Sequence, residues 1–264
     1  MKQATIELFR SLVIQRRVIS ALFMRETITR YGRHNIGFLW LFVEPMIFTL
    51  GITFLWTALK SVHGSELPIT PLALTGYSSV LLWRNMPART IAAIPPNLSL
   101  MYHRNVRVMD IYIARLLLEV VGATMSFTIL GMLFIFIGMV DPPEDILKVI
   151  AGWALLAYNG IAMALMIGTL SERSELVDKI WHPLAYLIFP LSGAAFIVEA
   201  LPAEAQQYVL YIPMVHGIEY LREGYFGSKF HAIYDLEYMF LVVTGMLLIG
   251  LIQMRIVSRS VIPE

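Results

Sequence analysis

Few residues in this 264-residue chain are spaced for covalent chemistry. The six histidines, at 34, 63, 103, 182, 216 and 231, are scattered. None belongs to an H-E-x-x-H pair, which would put two imidazoles and a general base on one helix face. There is no G-x-x-x-x-G-K-[ST] loop, so the chain does not cradle and hydrolyse ATP by that route. The carboxylates Asp141, Glu144 and Asp145 of Asp141-Pro-Pro-Glu-Asp145 could suggest a cation site, but a solvated turn is the favoured reading. Glu44, just before Pro45, is the one formal charge in a long apolar run. Buried there, it would rise in pKa and carry protons; facing a wet helix interface, or capping groups freed by Pro45, it would not. Arg115 and Glu119 lie four apart, a spacing that allows an ion pair to offset the cost of burial.

The aromatic residues point elsewhere. Trp40, Trp56, Tyr77, Trp83 and Tyr158 lie within apolar stretches, where rings can stack on the apolar faces of sugars or simply anchor a helix. Arg84 and Arg89 accompany them as candidates for attracting a polyanion, with snorkelling toward headgroups as the alternative.

The elements that must position these groups are apolar helices. Hydrophobic residues make up 58% of the chain and charged residues only 15%, where a soluble domain carries about a quarter. Residues 36–59 could span roughly 36 Å as a helix, beyond the ~30 Å hydrocarbon core of a bilayer. Further spans are expected at 69–94, 111–137, 147–170, 183–198 and 236–254, the fifth short and broken by Pro190 and Gly193. The result is an all-α polytopic membrane protein in one transmembrane domain. Residues 1–30 read as an amphipathic helix at the interface, with Ile6, Phe9, Leu12 and Val13 on one face. The charges at Glu7, Arg10, Arg16 and Arg17 argue against a signal peptide. The fourth span carries Gly152, Gly160, Ala164 and Gly168, small residues that permit close helix contact.

Residues 97–110 form a loop of apolar anchors and polar residues. Residues 199–235 hold two short helices, 203–213 and 216–225, rich in tyrosine. With both termini cytoplasmic, all Lys and Arg except Lys60, Lys148, Arg222 and Lys229 fall on the inner side, as the positive-inside tendency requires. The absence of cysteine excludes disulfides and thiolate metal sites.

Three stretches carry a family resemblance. Arg30-Tyr-Gly-Arg-His-Asn-Ile-Gly37, with Leu39-Trp40 and Glu44-Pro45, resembles the opening of ABC-2 class polysaccharide-export permeases. Phe189-Pro-Leu-Ser-Gly-Ala-Ala-Phe196, and Ile212-Pro-Met-Val-His-Gly-Ile-Glu-Tyr-Leu-Arg-Glu-Gly-Tyr-Phe226, resemble their end. The nearest group is the inner-membrane permeases for group 2 type capsular polysaccharides of Gram-negative bacteria. The resemblance implies a partnership of two permease copies with two copies of a separate cytoplasmic ATPase. A periplasmic adaptor, an outer-membrane channel and a lipid-linked polyanionic glycan complete the expected partners, with no nucleic acid. ATP and Mg²⁺ would be bound by the ATPase, with no cofactor on this chain.

Carried onto this sequence, the helix around residues 6–23 lies at the ATPase interface. Asn97, Leu98, Leu100, Met101, Tyr102 and His103 form the coupling helix, and residues 172–179 a lesser contact. Tyr208, Tyr211, Tyr220 and Tyr225 lie in the periplasmic gate. An O-antigen or teichoic-acid exporter would share this architecture. A proton-coupled secondary transporter using Glu44 is the competing class, although no inverted repeat of broken helices supports it.

Overall fold

The computed structural model describes residues 2–32, 36–59, 67–103 and 106–261. Most of the loop expected at 60–68 lies outside these residues, as do His34, Arg104 and the side chains of Ile6 and His103. Among the described residues there are ten α-helices and no strand. They are α1 (Lys2–Tyr31), α2 (Ile36–Leu59), α3 (Ile69–Thr90), α4 (Leu98–His103), α5 (Val108–Phe136), α6 (Ile146–Ser171), α7 (Glu175–Ile188), α8 (Ala203–Val209), α9 (Pro213–Phe226) and α10 (Leu236–Val261).

Four of them, in α2, α5, α6 and α10, are long and apolar enough to cross a membrane. α3 has the length, 22 residues, but carries Arg84 and Arg89. α7 has 14 residues and would span only about 21 Å. It begins at Glu175, earlier than the apolar run at 183, because the polar residues of its first turns occupy one face of a continuous helix. It passes into a 3₁₀ turn at Phe189–Leu191, then a loop in which Gly193 takes a positive φ of 84°. The loop expected at 97–110 is shorter than its sequence implied. α5 starts at Val108, where the Asp110 carboxylate accepts the Arg107 N–H at 3.0 Å. α6 starts at Ile146, just after Asp145, whose carboxylate accepts the Lys148 N–H at 3.0 Å. Both are N-terminal caps that satisfy otherwise orphaned donors.

α6 is the central mast, packed against α3, α10 and α9. Its glycines allow the close approach that their spacing promised. A Cβ on Gly160 would meet the Met86 sulfur at 2.7 Å, and one on Gly168 would meet Thr90 at 2.6 Å. The gap so closed lets the Thr90 hydroxyl donate to Ala164 O at 2.9 Å. The main core runs through α3, which is buried from Thr70 to Trp83, into α5 and α6. α1 lies along α5 and α2. Its inward residues include Gln15, Val18, Leu22 and Thr27, while Phe9 and Leu12 of the expected apolar face are exposed.

Candidate functional site: a coupling loop, a charged cavity and a buried-charge hairpin

The two ends of α6, roughly 39 Å apart, meet different surroundings. At its C-terminal end lie α4 and a cluster of charges among α1, α2, α3 and α5. Against its N-terminal end lies α9.

The charged cluster takes Glu26 and Arg30 from α1, Glu44 from α2, Arg89 from α3, and Arg115 and Glu119 from α5. Glu119 is buried and shared. It accepts from Arg30 Nη1 and, at 3.1 Å, from Arg89 Nε. Arg30 Nη2 also reaches Glu44 at 3.3 Å, and Arg115 Nε reaches Glu26 at 3.3 Å. Spacing alone misassigned one pair: Arg115 and Glu119, though four apart, each bridge to other helices. Tertiary partners won because α1 brings Glu26 and Arg30, and α3 brings Arg89, against these two residues of α5. Glu44 is correspondingly a half-exposed partner of Arg30, with its side chain 57% accessible.

This cluster borders a cavity of about 360 Å³ whose lining includes Arg30, Glu44, Phe48, Arg84, Asn85 and Glu119. A second cavity of about 260 Å³ shares Arg30 and Glu119 and takes in Arg89 and Arg115. The Arg84 guanidinium lies 4.2 Å from the ring centroid of Tyr186 on α7, a cation–π contact. Arg84 and Arg89 thus stand at cavity walls. The aromatic candidates do not line one path. Trp83 is fully buried. Tyr77 is buried and touches Trp56 at 5.0 Å, Phe48 at 6.0 Å and Phe189 at 5.3 Å between centroids. Trp40 is exposed on α2. Tyr158 bonds Thr244 at 2.9 Å and stacks on Phe240, joining α6 to α10.

The residues expected to form the coupling helix divide by exposure. Leu100 and Met101 pack toward the core. Leu98 and Tyr102 face outward, Tyr102 with 62% of its surface accessible. Asn97 is buried; its amide donates to Ala93 O at 2.8 Å and its carbonyl accepts from Arg25. Glu172 turns inward and accepts the Ile94 N–H at 3.1 Å. Burial raises its carboxyl above the usual range, opposed by the backbone hydrogen bonds from Ile94 and Ala93.

At the other end, one turn of α9 carries a feature that the sequence reading missed. Arg222, counted there only as one of the outer cations, has no accessible surface. Its Nη1 donates to Gly193 O at 2.8 Å and Phe196 O at 2.6 Å, and its Nη2 to Ala194 O at 2.9 Å. Glu219, also wholly buried, accepts the Val198 N–H at 3.4 Å and the Ile233 N–H at 3.3 Å. The two charges are 4.0 Å apart. Burial draws the Arg222 guanidinium down to about 10, so it remains charged at neutral pH. The available signal was an i, i+3 Glu/Arg pair among Val215, Ile218 and Leu221, all buried.

The Asp235 N–H donates to His216 Nδ1 at 2.8 Å, so Nε2 carries the proton and donates to Leu210 O at 2.8 Å. Burial lowers the pKa of this imidazole, opposed by the Leu210 bond and the Asp235 charge. The tyrosines expected at a gate separate. Tyr208 and Tyr211 are exposed. Tyr220 sits edge-on to Tyr234 at 5.3 Å. Tyr225 is buried and donates to Asp141 O at 3.2 Å.

With this geometry in hand, the chain was compared with known proteins. The family model described as "ABC-2 type transporter" matches residues 17–226, from within α1 through α9. The chain belongs to the ABC-2 type transporter family. Curated relatives of this family member span nearly the same length. The chain is 45% identical over 254 residues to capsule polysaccharide export inner-membrane protein CtrC of Neisseria meningitidis serogroup B, covering 96% of each chain. It is 41% identical, with the same coverage, to capsule polysaccharide export inner-membrane protein BexB of Haemophilus influenzae. It is 25% identical over 241 residues to polysialic acid transport protein KpsM of Escherichia coli, covering 90% of this chain and 92% of that one.

Proposed function

We propose that the chain is the transmembrane permease subunit of an ATP-driven exporter that moves lipid-linked capsular polysaccharide from the cytoplasm to the periplasm of a Gram-negative cell. The observation that carries this reading is 45% identity along 96% of both chains to a protein named for capsule polysaccharide export. α3, and a short broken fifth span at 183–198 that begins within α7, join the four apolar helices as six inner-membrane spans, with both termini cytoplasmic. Two copies of the chain work with two cytoplasmic ATPase subunits, a periplasmic adaptor and an outer-membrane channel.

In this scheme ATP closes the ATPase pair, and α4 carries that movement to α3 and α5, which it separates in sequence. Its outward Leu98 and Tyr102 are the residues in reach of a partner. Arg84 and Arg89, at the walls of the two cavities, draw in the anionic polymer or its phosphorylated lipid end. The two short helices α8 and α9 form the periplasmic gate.

Replacing Arg84 or Arg89 with Ala tests the recruitment step. Surface polysaccharide is expected to fall while permease and ATPase still co-purify. Normal export by both variants would remove these arginines from the path.

A further inference from the structure

The turn that leads into α4 is held from several sides, and more firmly than a surface loop requires. Ile91 has φ −59° and ψ 133°, and Ala92 follows with φ 48°, the single non-glycine residue with positive φ among those described. The Ile91 values match the first central position of a type II turn, and the positive φ of Ala92 has the sign of its second position, which favours glycine. An alanine persists in such a conformation only where its surroundings determine it. Here they do. Before the turn, Arg115 of α5 donates to Arg89 O at 2.8 Å, and Thr90 donates to Ala164 O of α6 at 2.9 Å. After the turn, Glu172 at the end of α6 accepts the Ile94 N–H at 3.1 Å. Arg25 of α1 then grips the side chain of buried Asn97, the residue before α4.

We infer that Arg25 and Glu172 are positioning residues for coupling: gripping Asn97 and Ile94 from different helices, they make α4 move as one body with α1 and α6. This inference rests on the reading of α4 as the element that engages the ATPase. Arg25 lies outside the expected ATPase contacts, and Glu172, at the edge of the lesser one, turns its carboxylate inward. Glu172 spends one carboxylate oxygen on the coupling turn, and Arg25 is half-buried against it. Without the two grips α4 remains a helix but is free to swing, so that ATPase movement is absorbed at the turn instead of reaching the spans. A purely structural role would lower the amount of protein; a positioning role separates ATP hydrolysis from transport.

The test uses the full-length permease with its ATPase. Co-purification, ATP hydrolysis and polysaccharide export are measured for Arg25→Ala, Glu172→Ala and Glu172→Gln, with Tyr102→Asp in parallel. Arg25→Ala is expected to retain the complex and its hydrolysis while export falls roughly tenfold, within the range of one lost coupling between sites. Glu172→Ala is expected to lose export comparably. Glu172→Gln keeps an acceptor for the Ile94 N–H and is expected to restore it. Wild-type export by Arg25→Ala and Glu172→Ala would overturn the inference, as would failure of Glu172→Gln to rescue, or loss of the complex in Arg25→Ala. If Tyr102→Asp leaves association and export unchanged, the assignment of α4 itself fails. If it disrupts both while the Arg25 and Glu172 variants export normally, only the present inference fails.

Discussion

At the α9 end, Arg222 and Glu219 are both sealed from solvent and make their hydrogen bonds to backbone groups of two flanking segments. At the α4 end, Glu119 is shared between Arg30 and Arg89, whose own side chain is 43% accessible, and the cluster borders two cavities. The first arrangement has one geometry, because three carbonyls fix one guanidinium. The second offers alternatives, since arginines from α1 and α3 compete for one carboxylate and Arg30 also reaches Glu44. A buried charge held by backbone makes α9 and its neighbours rigid. A shared, partly wet cluster lets four helices shift against one another at small cost. On the exporter scheme proposed above, the stiff element would lie at the gate and the adjustable one where the ATPase acts.

The sharpest break of this comparison is Arg222→Ala. It leaves Glu219 buried without its cation and three carbonyls without a donor, and should cost about 3–5 kcal/mol. Membrane accumulation and thermal unfolding of the detergent-solubilised protein would read this. A variant as stable as the wild type would show that the hairpin does not depend on the grip.

Glu119→Gln should do less. It removes the charge but keeps an acceptor, so about 1.5 kcal/mol or less is lost, a charged hydrogen bond exchanged for a neutral one. Because Arg89 is partly solvated, the expected phenotype is altered export at near-normal protein levels. Loss of the protein would mean that the α4 end is as rigid as the α9 end.

A still smaller effect should come with pH at His216. Its folded pKa lies below the ordinary 6.5, so the unfolded chain binds the proton first as pH falls. The stability it contributes is complete above 6.5 and is lost between 6.5 and the lower folded value. Protonation also sets a second donor against the Asp235 N–H, beside the Asp235 carboxylate and the Tyr238 ring. Thermal unfolding followed from pH 7.5 to 5.5 should show a decline that His216→Asn reduces; equal slopes in the two proteins would exclude the histidine as its source.

Smallest of all is Lys179→Ala. The Glu175–Lys179 pair is 93% and 74% accessible, and its removal should fall within about 0.5 kcal/mol of zero.

How far the sequence foretold this molecule depends on what each signal measures. Long apolar runs report burial in lipid or core, so α2, α5, α6 and α10 could be read directly. The small residues of α6 announced close packing, and Gly160 and Gly168 meet α3 at the expected short range. α7 was harder, because Glu175, Asp178 and Lys179 look like loop residues until their exposed face is set against buried Trp181 and Ala185. The burial of Arg222 was not foreseen, because a charge is ordinarily a sign of water; what sequence cannot display is a cage of backbone carbonyls supplied from 26 or more residues away. The same limit applies to Arg115 and Glu119. Their spacing along one helix was visible, whereas the rival partners on α1 and α3 exist only after packing.

The most direct test of the exporter reading is Tyr102→Asp, since this side chain is exposed on α4 and its replacement leaves the core intact. Polysaccharide export and ATPase co-purification would be measured in the same cells. The expected result is polymer retained inside the cell with a lost or uncoupled ATPase. Unchanged export together with unchanged ATPase association would contradict the placing of the coupling element at α4.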